Sequence, residues 1–204
     1  MIKRGKFLVL EGGVGSGKST QFELLKKQFP KWKFYREPGS TPFGEKVRDA
    51  VQGLHNYNVN EIAAMFGYSA ARANLIRGVI IPLLEKGKNI VLDRYWYSTF
   101  AYQGTEGVSR KVILTVSKIA TNGLRPDLIL FYDLKSEVGM NRKNGKKDAD
   151  RYDIRELHFH RKVRNNYHKL GKMYPKIWRA INASKSIKDV FRDSQLLLKE
   201  YHFI

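Results

Sequence analysis

The residues best suited to chemistry lie near the start of the chain. Gly12-Gly13-Val14-Gly15-Ser16-Gly17-Lys18-Ser19 fits the pattern G-x-x-x-x-G-K-[ST] in full. Glycines at that spacing let backbone N–H groups turn inward around phosphate oxygens without Cβ clashes. Lys18 is then placed to reach the β- and γ-phosphates of ATP, and the Ser19 hydroxyl to ligate Mg²⁺. The segment from Gly12 through Ser19 to Thr20 is therefore the expected ATP cradle, a P-loop. A second constellation is Asp93-Arg94, at the end of the apolar run Asn89-Ile-Val-Leu-Asp93. A carboxylate at the carboxyl edge of a sheet, beside a phosphate cradle, suits Mg²⁺ handling, and the adjacent guanidinium suits phosphate clamping.

The elements that must position these groups follow from patterning. Lys6–Glu11 is a short apolar run bounded by glycines, which predicts a buried strand leading into the cradle. Phe22, Leu25 and Phe29 share one helical face, so a helix is expected from Lys18 to Phe29, with its positive end at the phosphates. Further strands are expected at Trp32–Arg36, Asn89–Asp93, Asp127–Asp133 and Trp178–Ile181. Helices are expected from Asn60 to Glu85, interrupted at Pro82, and from Ser109 to Asn122. Two more should run from the polar stretch after Lys135 to about Tyr174, and from Ser186 to Tyr201. Strands alternating with helices predict an α/β fold in one domain, 1–204. Residues 141–150, rich in Asn, Lys and Gly, read as a mobile loop.

Composition narrows the class. With no cysteine among 204 residues, disulfides, Cys-ligated zinc and thiol catalysis are excluded. No apolar run is long enough to span a bilayer, and no secretory leader is evident, so a cytoplasmic enzyme is expected. The net charge of +19 favours anionic partners, and fifteen Lys and Arg against four acids fall between Arg142 and Lys188. That charge keeps a nucleic-acid-binding P-loop ATPase open as an alternative. No recognition helix, RNP-type strand or zinc module supports it, so at most nonspecific nucleic-acid adhesion is expected. No N-K-x-D run is present to read guanine.

Arg36-Glu37-Pro38-Gly39, Asp93-Arg94-Tyr95 with Ser98, and Ala101-Tyr102-Gln103-Gly104 follow one another in fixed order. Arg125-Pro126-Asp127-Leu128 and Glu137-Val138-Gly139 come after them. Together with the P-loop, over nearly the whole chain, these segments resemble the bacterial branch of the thymidylate kinase family. The resemblance implies a P-loop NTPase fold with five parallel strands flanked by helices, and a mobile lid at about 137–151. It implies transfer of the ATP γ-phosphate to dTMP, giving dTDP, with Mg²⁺, in a homodimer. Arg36 and Arg94 correspond to arginines that hold the acceptor phosphate, within a substrate segment that includes Glu37 and Pro38. Tyr68 corresponds to an aromatic that stacks on thymine, and Arg72, one helical turn on, to the arginine that reaches its carbonyl. Tyr102 and Gln103 correspond to residues that exclude a ribose 2′-hydroxyl and fix the base, with Ser98 one turn earlier. Ala183 and Ser184 fall where the family lays a loop against adenine.

Two departures bear on chemistry. Members of the family carry the transition-state arginine either in the P-loop or in the lid; this P-loop has none, so the resemblance implies that the lid supplies the cation, with Arg142 and Arg151 the first candidates. Lys146 stands where bacterial members have arginine, keeping charge but losing the planar fork. Val14 replaces the usual acid that contacts the acceptor sugar, which leaves another deoxynucleotide or a deoxynucleoside as alternative acceptors.

Overall fold

The computed structural model describes residues 3–143 and 150–204. Its strands are β1 (Phe7–Gly12), β2 (Lys33–Arg36), β3 (Ile90–Asp93), β4 (Leu128–Asp133) and β5 (Trp178–Asn182). Its α-helices are α1 (Lys18–Gln28), α2 (Pro42–Gln52), α3 (Glu61–Leu75), α4 (Ile81–Glu85), α5 (Trp96–Tyr102), α6 (Arg110–Ala120), α7 (Ser136–Lys143), α8 (Leu157–Met173) and α9 (Ile187–Glu200). The strands form one sheet in the order β2-β3-β1-β4-β5, with every neighbouring pair parallel.

The apolar runs explain this sheet. Along β1, Phe7 and Val9 join a core with Ile90, Leu92, Ile129 and Phe131, while Leu8 and Leu10 face the opposite core with Val91, Leu128 and Leu130. Side chains alternate across a strand, so a strand buried on both faces needs an unbroken apolar run. Leu25 of α1 and Val190 and Leu198 of α9 close one core. Leu75, Phe100, Ile113 and Val163, from α3, α5, α6 and α8, help to close the other.

Strand order places the chemistry. The chain runs from β1 out to the edge strand β2 and back to β3, then crosses to β4 on the other side of β1, and such a reversal opens a crevice at the carboxyl ends of the strands. Leu10 is in register with Asp93, so the end of β3 lies beside the start of the P-loop.

Several elements differ from the sequence expectation, the short helix α5 among them. Helix α2 was not expected; Thr41 caps it by accepting from the Gly44 N–H at 2.9 Å, with Pro42 at its first position. The long helix is modified before Pro82 rather than at it, because Ile76–Ile80 forms a π turn in which the Ile81 N–H donates to the Ile76 carbonyl. A proline ring clashes with the carbonyl four residues back, and the wider turn accommodates it. The polar stretch after Lys135 is helical as α7, and a separate helix, α8, starts only at Leu157. The rest of the expected loop, 144–149, lies outside the described residues.

Candidate active site

The loop between β1 and α1 turns on two glycines with positive φ, Gly15 at 62° and Gly17 at 78°. At Gly15 a Cβ would also land on the Gly139 carbonyl, and one at Gly139 would land on the Val14 carbonyl. Helix α7 and the P-loop are thus in mutual backbone contact, which gives Glu137-Val138-Gly139 a physical role. The Ser16 hydroxyl is buried with no partner among the described residues, a polar atom left for a phosphate oxygen. Lys18, itself buried, ion-pairs with Asp93. Burial pushes the Lys18 ammonium pKa down, and the Asp93 carboxylate opposes that shift.

A groove of about 2070 Å³ runs along this loop. The cradle residues Gly13–Thr20 line it, facing Arg36, Arg48, Arg94 and Asp93. Ser19 is exposed to it and Asp93 stands opposite, so the chain offers a hard cation one hydroxyl and one carboxylate. That small oxygen set suits Mg²⁺, which keeps several waters and shares phosphate oxygens. Among the described residues no cluster of three acids or histidines offers a different kind of site.

Arg94 adopts φ 68°, an uncommon conformation for a residue with a Cβ. It is held there by bonds from its guanidinium to the Gly12 carbonyl at 3.2 Å, Ser98 Oγ at 3.0 Å and the Tyr167 hydroxyl at 3.3 Å. Beneath lies Glu11, fully buried, accepting from the Tyr95 N–H at 2.9 Å, Ser98 Oγ at 2.7 Å and the Tyr167 hydroxyl at 3.0 Å. Burial raises the Glu11 pKa, and the Arg94 charge works against that rise. Sequence reasoning passed over Glu11; its signal was an acid closing an otherwise apolar strand. Arg36 pairs with Glu45 at 3.0 Å on the rim of the groove. Arg48, also missed, donates to the Pro38 carbonyl at 3.2 Å. Burial, with Arg36 and Arg94 nearby, lowers the Arg48 pKa, as expected where cations converge on an anion site. Arg48 belongs to a helix the sequence did not announce.

Beside the groove is a smaller cavity of about 500 Å³, lined by Tyr68, Arg72, Ser98, Tyr102, Gln103 and Tyr152 among others. Arg72 Nε donates to Glu37 Oε2 at 2.6 Å, and each side chain is only 3% exposed. Arg72 also donates to Thr99 Oγ1 at 3.3 Å, but its second terminal nitrogen and Glu37 Oε1 have no partner among the described residues. One donor and one acceptor are therefore left for a ligand. Burial pushes the Glu37 carboxyl up to about 7, against the pull of Arg72. Tyr68 donates to the Tyr152 hydroxyl at 3.3 Å, and Gln103 Nε2 donates to the same oxygen at 2.8 Å. Tyr152 was not anticipated from sequence.

The remaining expected residues divide. Arg142 reaches the groove and donates to the Ala183 carbonyl at 3.2 Å. Arg151 turns away, donating to the Val51 carbonyl at 3.3 Å and lying over the Tyr152 ring. Lys146 lies outside the described residues. Ala183 lines the groove, whereas the Ser184 hydroxyl is exposed and donates to Asn182 Oδ1 at 2.7 Å. Val14 is buried and also borders a small cavity of about 290 Å³ with Leu134, Val163 and His160, so its side chain supports the loop from within.

Comparison with known proteins matches the sequence of this chain to one family. The family model described as thymidylate kinase covers residues 10–193. A protein named thymidylate kinase from a Thermoanaerobacter species is 36% identical over 203 residues, covering 97% of this chain and 99% of that protein. One so named from Clostridium novyi is 33% identical over 205 residues, covering 97% of this chain and 100% of its own. Another, from a Roseiflexus species, is 36% identical over 213 residues, with 96% and 94% covered.

Proposed function

The chain belongs to the thymidylate kinase family, and from that premise we propose how its own residues move the γ-phosphate of ATP onto dTMP to give dTDP. The observation that carries the reading is the joining of two cavities. Glu37, Gln52 and Arg94 line both the smaller cavity and the phosphate groove. A monophosphate with its base in the first and its phosphate in the second spans that junction.

In this reading the Tyr68 ring stacks on the pyrimidine, and the unpartnered Arg72 nitrogen donates to a base carbonyl. Tyr102 fills the space beside the sugar where a 2′-hydroxyl would stand. Arg94, Arg36 and Arg48 hold the acceptor phosphate, and Glu37 fixes Arg72. On the donor side the loop amides, Lys18 and Ser16 hold the phosphates, with Arg142 and Ala183 on the far wall of the groove. Ser19 and Asp93 would hold Mg²⁺, which would supply positive charge to the triphosphate. An oxygen of the dTMP phosphate attacks the γ-phosphorus, the bond to the β-γ bridging oxygen breaks, and ADP leaves carrying that electron pair. The chain's contribution is alignment and positive charge on the migrating group.

A homodimer belongs to the same reading. Phe43 on α2, with Ile62 and Phe66 on α3, is 41–55% exposed, and Val112 and Ile119 on α6 are exposed as well. A cytoplasmic location goes with the activity rather than with any feature of the fold. The test is ADP release with ATP and Mg²⁺ against dTMP, dUMP, dCMP, dGMP, thymidine and no acceptor. dTMP-dependent turnover is expected. Preference for another acceptor, or turnover with none, would overturn the assignment.

A further inference from the structure

Gln103 has one amide nitrogen with two hydrogens, and both are aimed at protein acceptors. Nε2 lies 2.8 Å from the Tyr152 hydroxyl and 3.2 Å from Glu106 Oε2. Glu106 closes the turn after α5, and its side chain is only 7% exposed. Burial raises the Glu106 pKa; the Gln103 amide, and Arg151 and Arg155, each 3.7 Å from its other oxygen, Oε1, oppose that rise and work toward the ionised carboxylate. An ionised carboxylate only accepts hydrogen bonds. It therefore fixes which way round the Gln103 amide stands, and Oε1 is the polar atom left to face the base cavity that Gln103 lines.

We propose that Glu106 is a specificity-determining positioning residue: by holding Gln103 Nε2, it presents Gln103 Oε1 as an acceptor and so selects a pyrimidine with a ring N–H. Thymine and uracil carry a hydrogen on N3 that this oxygen accepts. Cytosine has a bare lone pair there, which meets the amide oxygen with repulsion and leaves both acceptors unpaired. The inference rests on the dTMP reading above and extends it to a residue that need not touch the substrate. It also ties Arg151 and Arg155, from the segment preceding α8, to the base reader through one carboxylate.

The experiment compares kcat and KM for dTMP, dUMP and dCMP in the wild type, Glu106→Gln, Gln103→Leu and the double variant. A glutamine at 106 both donates and accepts, so the Gln103 amide is free to stand either way round. The dTMP-to-dCMP ratio of kcat/KM should fall roughly tenfold in Glu106→Gln, the scale of one hydrogen bond, carried by KM with kcat nearly unchanged. dUMP should follow dTMP, since the two share the ring N–H. In the Gln103→Leu background the same change at 106 should leave the ratio alone. A ratio held within about twofold in Glu106→Gln would overturn the proposal. So would an equal shift with Gln103 absent, which marks a general packing effect. A wild type that ignores dTMP would instead sink the acceptor assignment, and this inference with it.

Discussion

Lys18 and Asp93 are ion-paired across the base of the phosphate groove, joining the first turn of α1 to the end of β3. Both are largely buried, with side-chain exposures of 7% and 16%. The pair holds the lysine at the mouth of the cradle, where a triphosphate competes for it. Lys18→Ala should lower kcat by roughly 100- to 1000-fold, the loss seen when one strong electrostatic contact to a transition state is removed. Circular dichroism should show an unchanged fold, because the loop is shaped by glycines rather than by the lysine. Near-normal turnover in that variant would contradict the donor-site assignment.

The Glu37–Arg72 pair predicts a pH dependence. Glu37 is pushed up to about 7 by burial, so it loses its charge as pH falls through that value. The neutral form holds Arg72 less firmly, and kcat/KM for dTMP should rise with pH through about 7. The dTMP phosphate titrates nearby, but it does so equally for a Glu37→Gln variant. The ratio of wild type to variant should therefore show the carboxyl limb alone. Stability runs the other way. Between the ordinary glutamate pKa and about 7 the folded chain holds a proton that the unfolded chain has released, so this group's contribution falls as pH rises. A flat activity ratio across that range would contradict the role given to Glu37.

Contact between Gly139 and the Val14 carbonyl predicts that Gly139→Ala pushes α7 off the P-loop. Because α7 also carries Arg142, whose guanidinium reaches the Ala183 carbonyl, the displacement should act on the donor side. KM for ATP should rise several-fold or more, with KM for dTMP little changed. Steady-state kinetics with each substrate varied will separate the two. An equal rise in both constants would argue for general destabilisation.

Phe66, 55% exposed on α3, is the test of the proposed dimer. Phe66→Glu should convert a dimer to a monomer in sedimentation equilibrium while leaving the sheet intact, since a charge in an apolar interface is unpaired on association. A wild-type monomer would remove that part of the reading.

The fold was legible where physical constraints are local. Glycine spacing, strand-length apolar runs and the Asn60 cap each act within a few residues, and the sheet with its P-loop followed from them. Asn60 Oδ1 does accept from the Ala63 N–H, at 2.8 Å. The site was less legible where side chains from distant segments meet. Glu11 gains meaning only when Tyr95, Ser98 and Tyr167 converge on it. Arg48 sits mid-helix, and its aim at the Pro38 carbonyl depends on how α2 packs against α3. Tyr152 and Glu106 lie 46 residues apart in number and share Gln103 Nε2 as a hydrogen-bond partner. Arg151, a lid candidate by position in the sequence, faces Glu106 and the Val51 carbonyl because those acceptors lie on its side of the turn.

The central claim is tested most directly by incubating the protein with Mg²⁺, dTMP and ATP labelled at the γ-phosphate, then separating the nucleotides. The account predicts label appearing in dTDP in step with ADP, with no label leaving ATP when dTMP is omitted. Label released as inorganic phosphate without an acceptor, or carried to a different nucleotide in preference to dTMP, would contradict it.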